Sequence, residues 1–425
     1  MADYALVALL FVQMLATSVY SVIAPFLPPE AEEKGISSSM IGLIFSGYPI
    51  AASISSPIFG KYCSKIGRKK LLFLGCFFEA SSTLGFSSVV FLDKNWFVAV
   101  GLLNRLVQGL GAGAMGTATY AIVSCTYPDR MESVLGLVNT LSALGMMLGP
   151  LAGSGLYALG GLVLLFVTYG LFFMACMPLL ALMIPKDKPY VKKELNISAK
   201  EVFKVRGIWM DGLVVILAIS SLSFLNPTLS NHLSGYKVDP SISGILFTVP
   251  TFSYALMILI MNYMNVSRKI LMMVGLGITA LADLTIGPWG YMGLPHELWV
   301  SILGLVIFGL GLCLCILPAL PDMVSEGEAH LTMYDSEQVS DFLSGILNSE
   351  TFIGEMVGPP LAGVLTDYIG FENAEAVIAF SLIGYLLVFG VFSGALFGRK
   401  VTKGEQLLVE NEMVATDTKK EEVLL

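Results

Sequence analysis

Apolar residues run along this chain in stretches of about 20, separated by short polar breaks, from one end to the other. That length of helix spans the hydrocarbon of a bilayer. The pattern predicts twelve such helices, over residues 5–27, 40–60, 71–92, 96–123, 134–157, 162–184, 208–230, 241–262, 270–288, 298–321, 343–367 and 374–398. The ninth carries the weakest signal, because it contains Asp283 and runs into Gly287, Pro288 and Gly290. The first stretch lacks the basic leader of a secretory signal and eleven more follow it, so it reads as helix 1.

The two halves of this pattern echo each other. Pro25, Leu27, Gly42 and Phe45 recur as Pro227, Leu229, Gly244 and Phe247, and Gly109, Leu110, Gly111 as Gly309, Leu310, Gly311. Gly145, Gly149 and Pro150 recur as Gly354, Gly358 and Pro359. Glycines let helices approach closely, and prolines bend them where a neighbour satisfies the freed carbonyl. The implied fold class is an all-α integral membrane protein of two pseudo-symmetric six-helix bundles. Its divisions are a first bundle over 1–184, a central loop over 185–207, a second bundle over 208–398 and a tail over 399–425. Duplicated bundles of this kind suit a transporter with its solute site between the halves.

Composition narrows the picture. Only 13% of residues are charged, too few for a water-facing surface, and the net charge of -8 argues against a nucleic-acid partner. Six cysteines show no metal-ligand spacing and read as small apolar residues, so no metal is expected. No phosphate-binding loop, nucleophile constellation or cofactor motif is present, so the chain reads as neither an ATP-driven pump nor an enzyme. Lys and Arg gather in alternate loops: Lys61, Lys65, Arg68, Lys69, Lys70, Arg130, the run from Lys186 to Arg206, Arg268, Lys269 and the tail. The positive-inside rule then puts both termini in the cytosol. The acidic stretch from Asp322 to Asp341 reads as a solvated surface, and the run 185–207 as long enough for an amphipathic surface helix. Asn196-Ile197-Ser198 matches the glycosylation pattern but falls on the cytosolic side, and Glu421 to Leu425 resembles a dileucine sorting signal one residue short.

Three local motifs resemble the major facilitator superfamily. Gly60-Lys61-Tyr62-Cys63-Ser64-Lys65-Ile66-Gly67-Arg68-Lys69 matches the superfamily's loop after helix 2, with Ser64 at its acidic position. Arg105-Leu106-Val107-Gln108-Gly109 matches its helix 4 signature. Gly145 to Gly153, with Gly149 and Pro150, matches the helix 5 signature typical of proton-coupled antiporters, with Ser154 in place of a second glycine. The helix 1 exit, Val19 to Gly35, resembles the vesicular amine transporter branch and its polyamine-exporting members. The resemblance implies exchange of protons for organic cations, carried out by a monomer in a vesicular or plasma membrane. Ala16 and Asn348 stand where the monoamine members carry aspartates, which leaves polyamines or another cation. The alternatives are a transporter of the same fold for a sugar, a carboxylate or a drug-like compound, and a non-transporting receptor or scaffold.

An ionisable group inside a bilayer is costly and by default marks a pathway or an internal pair. The proton-coupling candidates are Arg105, Glu355 and Glu350. A carboxylate binds an amine when ionised and releases it when protonated. Glu350 and Glu355 lie about 140° apart around an ideal helix and need not face one cavity. Candidates for binding the cation are Tyr20, Gln13, Gln108, Asn139, Asn226 and Asn348, with Tyr120 as a further aromatic face. Glu79 is expected to anchor or snorkel on a peripheral helix, Asp211 and Asp283 to lie at the interface with water, and His232, His296 and His330 to sit in surface loops. Gly60, Gly67, Arg68, Gly109, Gly145, Gly149, Pro150, Gly354, Gly358 and Pro359 are the expected conformational positions.

Overall fold

The computed structural model describes residues 2–127, 131–184, 202, 204–261, 263–264, 266–331 and 336–393. Arg130, most of the central loop with Asn196, Asp335 and the tail with its terminal Leu425 lie outside the described residues, as do the side chains of Lys61, Ser64, Cys125, Glu337 and Asp341. The described elements are helical. They are α1 (Ala2–Ser21), α2 (Leu27–Glu33), α3 (Ser38–Ile66), α4 (Arg68–Phe86), α5 (Lys94–Thr126), α6 (Met131–Met183), α7 (Arg206–Ser234) and α8 (Pro240–Leu246). After them come α9 (Thr248–Met261), α10 (Arg268–Ile286), α11 (Leu298–Ile316), α12 (Ala319–His330), α13 (Ser336–Ile369) and α14 (Phe371–Phe392).

Ten described stretches are long and apolar enough to cross a membrane. One of them is two passes in a single run: α6 breaks at Gly160 and Gly161, where Gly161 takes φ 63°, a conformation that suits glycine. Adding α13, which is long enough but carries Glu350, Glu355 and Asp367, gives twelve passes among the described residues. Three predicted passes are subdivided or shifted. The first stops at Ser21, and Pro28 and Pro29 open a separate short helix, α2, because proline suits a first turn that needs no N–H donor. The eighth is split into α8 and α9, and the tenth continues as α12.

One buried apolar cluster is drawn from residues 8–184 and another from 214–389. Glycines make the close approaches within each. A side chain at Gly145 meets the Met14 carbonyl, and one at Gly354 meets Ile219 and the Ile216 carbonyl. Gly149 packs on Ser18 and Gly358 on Ser220; Gly109 packs on the Tyr48 carbonyl and Gly309 on that of Pro250. The sequence repeat is thus a repeat of packing.

The halves meet at the end where α1 exits. Gly42 on α3 packs against the Pro359 carbonyl, and its repeat partner Gly244 on α8 packs against Ser154 and the Pro150 carbonyl. Ser230 Oγ donates to the Pro25 carbonyl at that end. Asp367 caps the start of α3 from the other half, accepting from the amides of Ser38 and Ser39 at 2.9 Å each and from the Ser39 hydroxyl. Toward the opposite, basic end, Asn139 of α6 and Ser344, Asn348 and Ser349 of α13 are exposed. The molecule is therefore closed at the exit end. Asp367→Asn removes a charged cap at an exposed site. Caps contribute about 1 kcal/mol, less when solvent-screened. It is expected to shift the molecule a few-fold toward the exit-open state, measured by labelling of a cysteine placed at Ser38.

At the basic end Lys269 bridges Glu326 and lies 3.7 Å from Asp322, both on α12. The first part of the acidic stretch, expected as a solvated surface, is thus a helix that holds the start of α10.

Candidate functional site

Arg105 is the centre of the polar interior. It sits in the first half of α5, is 1% exposed, and is ringed by aromatic side chains. Its guanidinium carbon lies 5.4 Å from the ring centre of Tyr20, 5.1 Å from that of Phe45 and 5.6 Å from that of Tyr48. A cation over aromatic faces is attracted by their π electrons, which offsets part of the cost of its burial. Arg105 Nη1 donates to Gln108 Oε1 at 2.8 Å, and Gln108 Nε2 donates to Thr83 Oγ1 at 3.4 Å. Nε of Arg105 has no partner.

Two carboxyl groups lie within electrostatic reach of Arg105: Glu79 on α4 and Glu355 on α13. Glu79 is 1% exposed and neither of its carboxyl oxygens has a hydrogen-bond partner. This corrects the expectation of a peripheral, snorkelled Glu79. The one-turn spacing from Glu79 to Thr83 sets both on the face that meets α5, a signal in the sequence that the assumption of a lipid-facing helix concealed.

Glu355 faces Arg105 from the other half across a cavity of about 60 Å³. The first half contributes Tyr20, Ser21, Phe45, Arg105, Met146 and Pro150 to the wall. The second contributes Ser223, Asn226, Phe247, Pro250, Thr251 and Glu355. Met146, Ser223 and Glu355 each lie four residues before a proline, Pro150, Pro227 and Pro359. Their carbonyls therefore lack the usual helical N–H donor. The wall combines one acid, one base, aromatic faces and carbonyls with spare acceptor capacity.

Of the other expected binding residues, Tyr20 and Asn226 line this cavity. Gln108 is buried behind Arg105. Gln13 lies two turns before Tyr20 with a buried, unpartnered Oε1, outside the cavity wall. Asn139, Asn348 and Tyr120 are exposed and also outside it. Glu350 points elsewhere: its carboxyl packs on Gly212 of α7. Its wheel angle from Glu355 made that separation legible. Asp211 and Asp283, expected at the water interface, are both buried, at 1% and 0% exposure. His232 belongs to the end of α7, not a loop, and stacks on Phe371 with ring centres 4.2 Å apart. His330 likewise closes α12. Gly67 joins α3 to α4 with φ 93°, which explains a glycine there, and Arg68 begins α4 in a buried position. Gly60 is loosely packed: a Cβ there would meet only Thr117, at 4.0 Å.

A twelve-pass helical molecule of two repeated halves, with a largely apolar cavity between them that holds one acid and one base, is a membrane transporter. The chain belongs to the Major Facilitator Superfamily, whose sequence profile matches residues 9–224 and 212–412. The MFS-type transporter SLC18B1 of Mus musculus is 32% identical over 84% of this chain and 79% of its own length. The Homo sapiens protein of the same name is 29% identical over 96% and 90%. The bacillibactin exporter of Bacillus subtilis is 26% identical over 94% and 98%. Among solved structures, a bacterial homologue of the human lysosomal transporter Spinster, inward-facing and unoccupied, superposes with a TM-score of 0.70 at 16% identity. That match covers 92% of this chain and 96% of that one. The nucleoside transporter NupG gives 0.68 at 15% identity, over 91% and 98%.

Proposed function

We propose that this protein exchanges protons for an organic cation of the polyamine class by alternating access, as a monomer with both termini in the cytosol, in a vesicular or plasma membrane. The observation that carries the reading is Glu355 on the wall of the cavity between the halves. It is the wall's one acid, set among aromatic rings and carbonyls with spare acceptor capacity. A carboxylate there pairs with an ammonium group, the rings hold it by their faces, and a proton on the carboxyl releases it. Arg105 keeps the empty site from retaining a bare carboxylate without a counter-charge. The SLC18B1 likeness supports the same branch of the superfamily. A linear polyamine is longer than the present cavity. The substrate enters as the basic end stands open, and closure of that end completes the site.

The test is spermidine uptake by proteoliposomes with an acidified interior, against vesicles with no pH gradient. Gradient-dependent uptake matched by proton efflux is expected. Uptake that ignores the gradient sinks the exchange mechanism, and no uptake by correctly folded protein sinks the polyamine assignment.

A further inference from the structure

A second pair of buried acids lies in the second half, away from the cavity. Asp283 on α10 and Glu375 on α14 are 0% and 1% exposed. Asp283 accepts from the Ser221 hydroxyl, with both carboxylate oxygens 3.0 Å away. Glu375 is electrostatically linked to Asp283, and neither of its oxygens has a partner. Its side chain packs on Gly287, one turn beyond Asp283.

The surrounding helices bring no compensating charge among the described residues. From α11 the titratable group near Asp283 is the Cys315 thiol. On α7, His232 turns to Phe371, Tyr236 and Ser301. His296 pairs with Glu372. Lys269, at the far end of α10, is held by Asp322 and Glu326 of α12. Among the described residues, no charged side chain of α13 reaches the pair. Two carboxylates in this setting would leave two uncompensated charges in the protein interior, which burial strongly disfavours.

The position of the pair ties it to the closed end. Ser221, its hydrogen-bond donor, belongs to a run of serines on α7. Ser220 and Ser223 of that run donate to the Gly354 carbonyl beside Glu355, at 3.4 and 3.0 Å. Two turns on, Ser230 of the same helix donates across the interface to Pro25. A movement of α7 that opens the exit end therefore acts on the contact between Ser221 and Asp283.

We propose that Asp283 and Glu375 form a second proton-binding site, loaded while the exit end is closed and emptied when α7 moves to open it. This builds on the reading of the molecule as a proton-linked transporter and adds a site outside the substrate cavity.

Infrared spectroscopy of the purified protein in lipid reads the protonated carboxyl C=O stretch directly. Wild type at neutral pH is expected to show components that disappear separately in Glu375→Gln and Asp283→Asn. Spectra unchanged by either substitution overturn the proposal. Both variants imitate the protonated acids, so they are expected to fold and to melt at or above the wild-type temperature. Failure of both to fold means that the pair is charged, and also overturns it. The link to the exit end is read by hydrogen exchange of α8. Raising the pH is expected to increase α8 exchange beyond the intrinsic base-catalysed rise in wild type and not in the double variant. Equal rises in both overturn the coupling. None of these measurements uses a substrate or a gradient, so their outcome is independent of the uptake result.

Discussion

Glu355→Gln is expected to reduce gradient-driven spermidine uptake to the level of protein-free vesicles while leaving the fold intact. Gln has the size of Glu and keeps an acceptor oxygen, so packing beside Gly354 and Gly358 is preserved. It carries no charge for an ammonium group and no exchangeable proton at neutral pH. A hydrogen bond to a charged partner contributes about 1.5–3 kcal/mol, so spermidine affinity should fall roughly 10- to 150-fold. Coupling falls further, because the variant lacks the group that alternates between proton and cation. Binding is measured by calorimetry on detergent-solubilised protein and coupling by uptake with simultaneous proton flux. Glu350→Gln is the contrast. Its carboxyl lies against Gly212 and outside the cavity wall, so coupled uptake should survive. If the two variants behave alike, Glu355 has no special role at the cavity.

Much of the architecture was legible because bilayer and packing constraints write themselves directly into sequence. The apolar runs gave the twelve passes, and the recurring glycines and prolines gave the pairs of positions that touch. Gly42 with Pro359 and Gly244 with Pro150 are one contact made twice by the repeat. Arg105 and Glu355 were legible as candidates for a different reason: a charge in the middle of an apolar run has to be accounted for. What hydropathy does not encode is rotation about the helix axis. Glu79 reads as peripheral because its helix does, although its side chain is buried within electrostatic reach of Arg105. Asp283 reads in sequence as interfacial, although its side chain is buried and accepts from Ser221. Glu375, four residues past the start of its helix, reads in sequence as a terminal acid. Polar residues on cavity-lining helices exceed those that reach the cavity for a related reason. A helix lines the cavity over only part of its length, so Tyr20 reaches it and Gln13, two turns away, does not.

Gly42→Leu is expected to stop transport by preventing closure of the exit end, with the bundles themselves intact. Gly42 belongs to α3, and even a Cβ there runs into the backbone carbonyl of Pro359 and comes within 2.9 Å of its carbonyl carbon. Backbone in the middle of a helix cannot turn away as a side chain can. The obstructed contact belongs to the interface between halves and to no contact within the first half. The penalty therefore falls on the exit-closed state alone. Overpacking costs about 1–3 kcal/mol where neighbours can adjust, a shift of roughly 5- to 150-fold in the equilibrium between states. A clash with a helix backbone should reach the upper end of that range or pass it. A state that cannot close cannot complete the alternating cycle, so uptake should fall in the same proportion, whatever the solute. Two readouts separate this from misfolding. Cysteines placed at Ser39 and Asp367, whose side chains meet in the closed state, should cross-link in the parent protein and not in the variant. The melting temperature should change little, because the glycine seams inside each half are untouched. The repeat supplies an internal control: Gly244→Leu meets Ser154, Phe26 and the Pro150 carbonyl on the symmetry-related side and should give the same exit-open phenotype. Undiminished cross-linking in Gly42→Leu would mean that the halves close by another surface, and the contact between α3 and α13 would lose its place as the gate.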